Sequence, residues 1–161
     1  MRISTSISLG LTVLCLGGCA LEAPPPEEPR VEVGTGSWRF EPLVDEDSVE
    51  LIRGSQGGWH FWLSVRTQGV EAEDVILTIE TQLEDESRPA EEVDVDVRLG
   101  RMNDEGERTL LGWPAIVADP ACLAGHTVRV SITLQLADGS TLSDERYVRI
   151  AGGSDPPPAC E

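Results

Sequence analysis

The chain has 161 residues, of which 40% are apolar and 25% charged, as is usual for one globular domain. All 12 basic residues are arginines, and 29 acidic residues bring the formal net charge to −17. Such a charge repels phosphate backbones, so no nucleic-acid partner is expected. Two histidines and four cysteines leave little material for a transition-metal site or a histidine-based catalytic centre. We therefore expect a protein that is not an enzyme and has no cofactor.

Residues 1–18 are predicted to be a cleaved signal peptide. Arg2 precedes an apolar stretch over 7–16 that is too short and too interrupted to span a bilayer. The following residues, Leu16-Gly17-Gly18-Cys19, resemble the lipobox of bacterial lipoproteins. This resemblance implies cleavage before Cys19 and a diacylglycerol thioether on its sulfur, which would anchor the protein in a membrane. The alternative is an ordinary secretory signal that is cut near Ala20.

Residues 19–30 are predicted to be a tether between the lipid and the domain, and residues 152–161 a tail. Both segments are rich in proline, and the first could extend about 30 Å as polyproline II. If Cys15 is removed with the signal peptide and Cys19 carries lipid, Cys122 and Cys160 remain. In an oxidising compartment such a pair favours a disulfide, which would hold the tail against the domain.

Residues 31–151 are predicted to form one all-β domain. Apolar residues alternate with polar ones, which is the period of half-buried strands. The clearest strands are 59–65, 75–83, 92–99 and 128–136, and weaker ones are 37–43, 48–53, 108–111 and 142–150. The predicted core consists of Trp59, Phe61, Val95, Val97, Val130, Ile132 and Leu134. No stretch has the period of a long helix.

Turn residues separate these strands at short, regular intervals. Asp138-Gly139 predicts a hairpin, the segment 103–106 is assigned the same role, and the glycine-rich segment 54–58 links two further strands. Seven to nine short strands indicate an antiparallel immunoglobulin-like β-sandwich. The cysteines lie in a loop and in the tail, so the disulfide of an antibody core is not expected.

The segment Gly54-Ser55-Gln56-Gly57-Gly58-Trp59-His60-Phe61-Trp62 enters one of the predicted strands. Together with the lipobox and the proline-rich spacer, this G-x-Q-G-G-x-H-x-W pattern resembles a group of uncharacterised bacterial lipoproteins. The resemblance covers about the first half of the mature chain, and it implies no activity.

Gln56, His60 and Trp62 are the candidate binding residues. Polar groups beside glycines could form a small recognition site, because the backbone can approach a ligand closely there. The alternative, which we favour, is a turn in which Gln56 and His60 satisfy backbone groups. His126 has no second nitrogen or sulfur ligand nearby in the sequence, and the acidic clusters at 45–47, 71–74, 84–86 and 104–107 lack the spacing of a calcium loop.

The sequence thus predicts a lipid-anchored protein of the cell envelope that acts as a non-catalytic binding or structural module. Its partners would be the membrane, through the lipid, and another envelope protein. Ala20 follows the lipidated cysteine in place of an aspartate, which by analogy with the enteric sorting rule favours the outer membrane. The alternative function is a metal- or small-ligand-binding lipoprotein that uses Gln56, His60 and Trp62 or the acidic loops.

Overall fold

A computed structural model describes residues 28–153 together with Asp155, Pro157 and Cys160. The predicted signal peptide, Cys19 and most of the predicted tether lie outside the described residues. Within 28–153, no helix combines the length and the apolar character needed to cross a bilayer.

The described chain is built almost entirely of β-strands. In chain order the elements are β1 (Arg30–Thr35), β2 (Glu41–Pro42), β3 (Ser48–Glu50), β4 (Ile52–Arg53), β5 (Trp59–Gln68), β6 (Asp74–Leu83), β7 (Glu91–Arg98), β8 (Glu107–Val117), α1 (Pro120–Leu123), β9 (Thr127–Gln135) and β10 (Thr141–Ala151). Seven of the strands have six or more residues, and the helix is a single turn.

These strands form two sheets that pack face to face. In sheet A, β5 pairs with β8 on one side and with β1 and β4 on the other, and β2 extends β1. Sheet B has the order β3-β10-β9-β6-β7. The prediction of an all-β, immunoglobulin-like sandwich is confirmed. The described chain has ten strands where seven to nine were expected, because three short strands are added, and one of these, β3, runs parallel to β10.

The core lies between the sheets and follows the alternation read from the sequence. In β9 the four residues Val128, Val130, Ile132 and Leu134 are all fully buried, and in β5 Phe61, Leu63 and Val65 face them from the other sheet. Two predicted core residues, Trp59 and Val95, are only partly buried. Trp59 is the first residue of its strand, and Val95 belongs to β7, which is the outer strand of sheet B, so each is packed on fewer sides.

Three of the four weaker strand predictions were wrong in extent, whereas the predicted strand 142–150 agrees with β10 within one residue at each end. The segment 37–43 contains only β2, and the predicted strand 48–53 divides at Leu51 into β3 in sheet B and β4 in sheet A. Leu51 is buried, and its N–H donates to the carbonyl oxygen of Ala151 at 2.9 Å. The chain therefore changes sheet at this residue. Strand β1 was not among the predicted strands, and β8 continues six residues beyond the predicted end at Leu111.

The turn predictions differ in outcome. Asp138-Gly139 joins the paired strands β9 and β10, and the 54–58 segment joins β4 to β5, as predicted. The turn at 103–106 also reverses the chain, with Gly106 at φ 78° and the carbonyl of Asn103 accepting its N–H. It does not join paired strands, however, because β7 belongs to sheet B and β8 to sheet A. Turn residues determine the local reversal, whereas the partner of each strand depends on packing.

Arg108 ties together the loops at the end of the sandwich where β1 begins. Its side chain is 9% exposed. The guanidinium donates to the carbonyl oxygens of Val70, Gly100 and Glu71 at 3.0–3.1 Å and lies 3.4 Å from the Glu73 carboxylate. One buried cation therefore satisfies backbone acceptors from the two loops that connect β5 to β6 and β7 to β8.

The predicted disulfide between Cys122 and Cys160 is present, with the two Cα atoms 4.8 Å apart. Cys122 lies in α1 and is buried, so the bond holds the tail against the helical turn before β9. The bond lies at the end of the sandwich opposite Arg108.

Replacing Arg108 by methionine is expected to lower the free energy of unfolding by about 2–4 kcal/mol, because several buried carbonyls lose their donor. Arg98→Met is the matched control. Arg98 forms an ion pair with Asp74 in which both side chains are about 70% exposed, so its loss should change the free energy of unfolding far less than the loss of Arg108 does. Urea denaturation of both variants measures the difference, and equal losses would contradict the role given to Arg108.

Candidate functional site

The outer face of sheet A carries a cluster of apolar side chains. In the register of this sheet Trp62 lies opposite Pro114, and His60 lies between Ile52 on β4 and Ile116 on β8. Directly opposed residues of antiparallel strands point to the same side of a sheet. Because Phe61, the residue between His60 and Trp62, points into the core, these five side chains point away from it. We call them the outer patch.

The outer patch is open to solvent along β8. Ile116 is 70% exposed, Pro114 is exposed, and the other three side chains are half-buried. The outward-facing residues of a sandwich strand are ordinarily polar, as those of β9 are. Contiguous exposed apolar side chains mark surfaces that bind other molecules.

His60 is held in the patch by packing. Its ring meets the ring of Trp62 edge to face, with the ring centroids 4.7 Å apart. Its Nε2 atom is buried and has no hydrogen-bond partner among the described residues. The interpretation in which His60 satisfies backbone groups is therefore not supported at Nε2.

A hollow of about 550 Å³ lies beside the patch. Trp62 and Ile52 line it from the sheet, and Trp38, from the loop after β1, lines it from the other side. Trp38 is 90% exposed. The hollow extends the apolar surface of the patch and adds polar rim residues such as Arg39 and Glu50.

The loop after β1 covers the rest of the outer face of sheet A. The Phe40 ring lies 4.5 Å from the guanidinium carbon of Arg66 and over Gly34, where an added Cβ would approach the ring to 2.5 Å. Ser64 donates to the carbonyl oxygen of Gly36 at 2.7 Å and accepts the N–H of Gly112 at 3.0 Å. The outer patch is thereby confined to the half of the sheet that is farther from Arg30.

A bulge makes this covering possible. From Leu63 to Val65 the pairing advances two residues on β5 but three on β8, from Trp113 to Leu110, so the extra residue lies on β8 opposite the buried Ser64. Gly112 lies in this bulge at φ 61°, and a Cβ there would lie 2.7 Å from the carbonyl oxygen of Ser37. Only glycine fits at this position.

The other candidate residues lie apart from one another. Gln56 is exposed in the turn between β4 and β5, and neither Gln56 nor His60 lines the hollow. His126 is exposed after α1. Of the three predicted binding residues, the structure brings only His60 and Trp62 into contact.

The acidic clusters take part in turns and ion pairs. The Arg98 guanidinium holds the pKa of Asp74 below its ordinary value, and hydrogen bonds from Ser87 do the same for the pKa of Asp85. Asp45 and Asp47 accept backbone N–H groups of Tyr147 and Val44. Among the described residues, no three His, Cys, Asp or Glu side chains are grouped so that they could hold a metal ion.

Sequence reasoning missed most of the patch. Pro114 interrupts the strand pattern, so β8 was expected to end at Leu111 and Ile116 was not assigned to a strand. Trp38 was placed in a weak strand and its exposure was not foreseen. Residues 110–117 contain no charged or hydroxyl side chain, so they show no alternation that could have identified Ile116 as outward-facing, although proline is tolerated in an outer strand of a sheet.

Comparisons of the chain with protein-family models, with curated proteins and with solved structures gave no match. The resemblance to uncharacterised bacterial lipoproteins therefore remains a prediction based on the lipobox at 16–19, the proline-rich spacer, residues 33–36, Phe40, Leu43 and residues 49–52 and 54–62.

Replacing His60 by phenylalanine is expected to leave the free energy of unfolding unchanged or to raise it by up to about 1 kcal/mol, because the ring packing is kept and an unpaired buried nitrogen is removed. Ser64→Ala is the comparison, since it leaves the Gly112 N–H without its acceptor and should cost about 1–2 kcal/mol. Thermal and urea denaturation of both variants measures the change. A clear loss of stability in His60→Phe would mean that Nε2 has a partner.

Proposed function

We propose that this protein is a lipid-anchored module of the cell envelope, attached to the outer membrane through Cys19, and that it binds another envelope protein without catalysis. The outer patch is the binding surface. The observation that carries this proposal is the apolar cluster formed by the half-buried Trp62 with the exposed Pro114 and Ile116, which the exposed Trp38 continues.

The chemistry of the patch favours a protein partner. Aromatic and aliphatic side chains with a partly polar rim are typical of the centres of protein interfaces. A net charge of −17 opposes contact of the domain with anionic lipid headgroups. The patch should therefore meet an apolar surface of a folded protein rather than the bilayer.

The position of the patch suits a tethered domain. Arg30, the first residue of β1, pairs with Gln68 at one end of β5, whereas His60 lies near the other end. The two ends of this strand are roughly 25 Å apart at the usual rise per residue. A lipid attached on the N-terminal side would leave the outer patch directed away from the membrane and accessible to a partner.

Replacing Cys19 by serine is expected to move the protein from the membrane fraction to the aqueous fraction, because the acyl chains that anchor it are no longer attached. Cys15→Ser is the control, since this residue lies within the predicted signal peptide and its change should leave the protein in the membrane fraction. Fractionation with immunoblotting and palmitate labelling measures both. Unchanged fractionation of Cys19→Ser would falsify the anchor.

The patch can be tested in cells with a photo-crosslinking amino acid at Leu111, which is 40% exposed and lies beside the patch on β8. We expect a discrete covalent adduct that Ile116→Asp and Trp62→Ala each reduce at least fivefold, because both remove apolar contact with the partner. The measurement is the yield of the adduct on a denaturing gel.

Thr133→Asp is the control for this experiment, because Thr133 lies on β9 in sheet B, away from the patch. It should leave the adduct unchanged. An adduct that survives both patch substitutions would contradict the assigned surface. If no adduct forms and Ca²⁺, Cu²⁺, Zn²⁺ or a sugar raises the Tm of the purified protein, the ligand-binding alternative replaces the proposal.

A further inference from the structure

The two sheets leave an apolar groove where their outer strands fail to meet. Strand β7 pairs only with β6, and β8 pairs only with β5. Between them lies a groove of about 550 Å³ whose walls include Val93, Val95, Trp113 and Ala115. Val93 is 49% exposed, and Val95 and Trp113 are partly buried. Pro114 and Ile116 of the outer patch also line this groove, whereas it shares no lining residue with the Trp38 hollow.

The free edge of β7 offers backbone groups beside this groove. An outer strand presents unpaired N–H and C=O groups that another strand can use. At the far end of the groove the Glu91 carboxylate accepts the N–H of Ala118 at 3.0 Å, so a side chain bridges the two edges there. Among the described residues, no strand pairs with the edge of β7 along Val93 and Val95.

The outward face of β7 is strongly acidic. Glu92, Asp94 and Asp96 alternate with the groove-facing valines, and none of the three has an arginine partner among the described residues. Asp94 accepts only the hydroxyl of Thr78 at 2.6 Å. A second copy of β7 paired at this edge would place acidic side chains beside one another, and such like-charge pairs are destabilising. The charge therefore opposes self-association and favours a basic strand.

We propose that β7 binds an extended segment of a partner protein in which apolar residues alternate with lysine or arginine. The segment would add to sheet B as a further strand, because main-chain hydrogen bonds to an open edge supply a general mode of peptide recognition. Its apolar side chains would fill the groove against Val93, Val95 and Trp113. Its basic side chains would lie beside Glu92 and Asp94. This inference deepens the proposed function, on which it rests, by naming the class of partner at a groove that adjoins the outer patch.

The test uses the full-length lipidated protein in detergent and two labelled peptides of about eight residues. One peptide alternates valine with lysine and the other alternates valine with glutamate. Fluorescence anisotropy measures binding at 0.15 M salt. At this concentration, interactions between exposed charges are screened beyond about 8 Å. We expect the lysine peptide to bind at least tenfold more tightly than the glutamate peptide.

Two charge variants distinguish the β7 edge from the overall negative charge. The double variant Glu92→Lys with Asp94→Lys should bind the lysine peptide at least tenfold more weakly and the glutamate peptide more tightly. Asp104→Lys with Glu105→Lys makes the same change in net charge in the turn before β8 and should leave both affinities within about twofold. If the charge reversal disturbs folding, the neutral double variant Glu92→Gln with Asp96→Asn replaces it. This variant should bind the lysine peptide at least threefold more weakly.

The groove variant Val93→Asp should lower the affinity for the lysine peptide at least fivefold despite the added negative charge, because apolar contact is lost. The inference is overturned if neither peptide binds, if both bind equally, if the two charge reversals act alike, or if sedimentation shows that the edge pairs with a second copy instead. Trp62→Ala should retain peptide binding, so failure of the outer patch and failure of the groove can be told apart.

Discussion

Burial of one apolar stripe from each long strand between the two sheets is the interaction on which the rest of this structure depends. In sheet B, Leu77 and Ile79 of β6 lie opposite Leu134 and Ile132 of β9, and all four point into the core. A shift of β6 by one residue in this register would turn Leu77 and Ile79 to the outer face of the sheet. The same register therefore determines which residues point outward, including the acidic residues of β7.

The two ends of the sandwich are covered by loops and the tail, whereas one of its sides is left open. Near the start of β1, Arg108 binds the carbonyls of two loops, and at the other end the Cys122–Cys160 disulfide holds the tail. Along the side where β7 and β8 form the outer strands, neither sheet has a further strand to cover the core. The partial exposure of Val95 and the open groove have this single cause.

The predictions succeeded where the alternation was regular and uninterrupted. Strands β6, β7 and β9 were identified within about a residue at each end, because their apolar residues recur at every second position. They failed where a single residue broke the pattern, as Pro114 did in β8, or where one apolar run served both sheets, as at Leu51. Neither event leaves a local signal, because a change of sheet depends on the distant strands β5 and β10.

The candidate site was predictable only in part. His60 and Trp62 lie two residues apart on one strand, so their shared face follows directly from the period of a strand. Ile52, Pro114 and Ile116 join them only through pairing with β4 and β8, at sequence separations that no local pattern describes. Gln56 is near His60 in the sequence, yet the turn leaves it exposed and outside the patch.

The class of fold, the alternation that separates core from surface and the acidic character of the chain could all be read from the sequence. Each of these depends on composition or on neighbours within a few residues. Tertiary packing makes β7 and β8 the outer strands, leaves an apolar groove between them, and brings Ile116 beside His60 and Trp62. Those features arise from pairing between residues far apart in the chain, which is set by how the whole core packs.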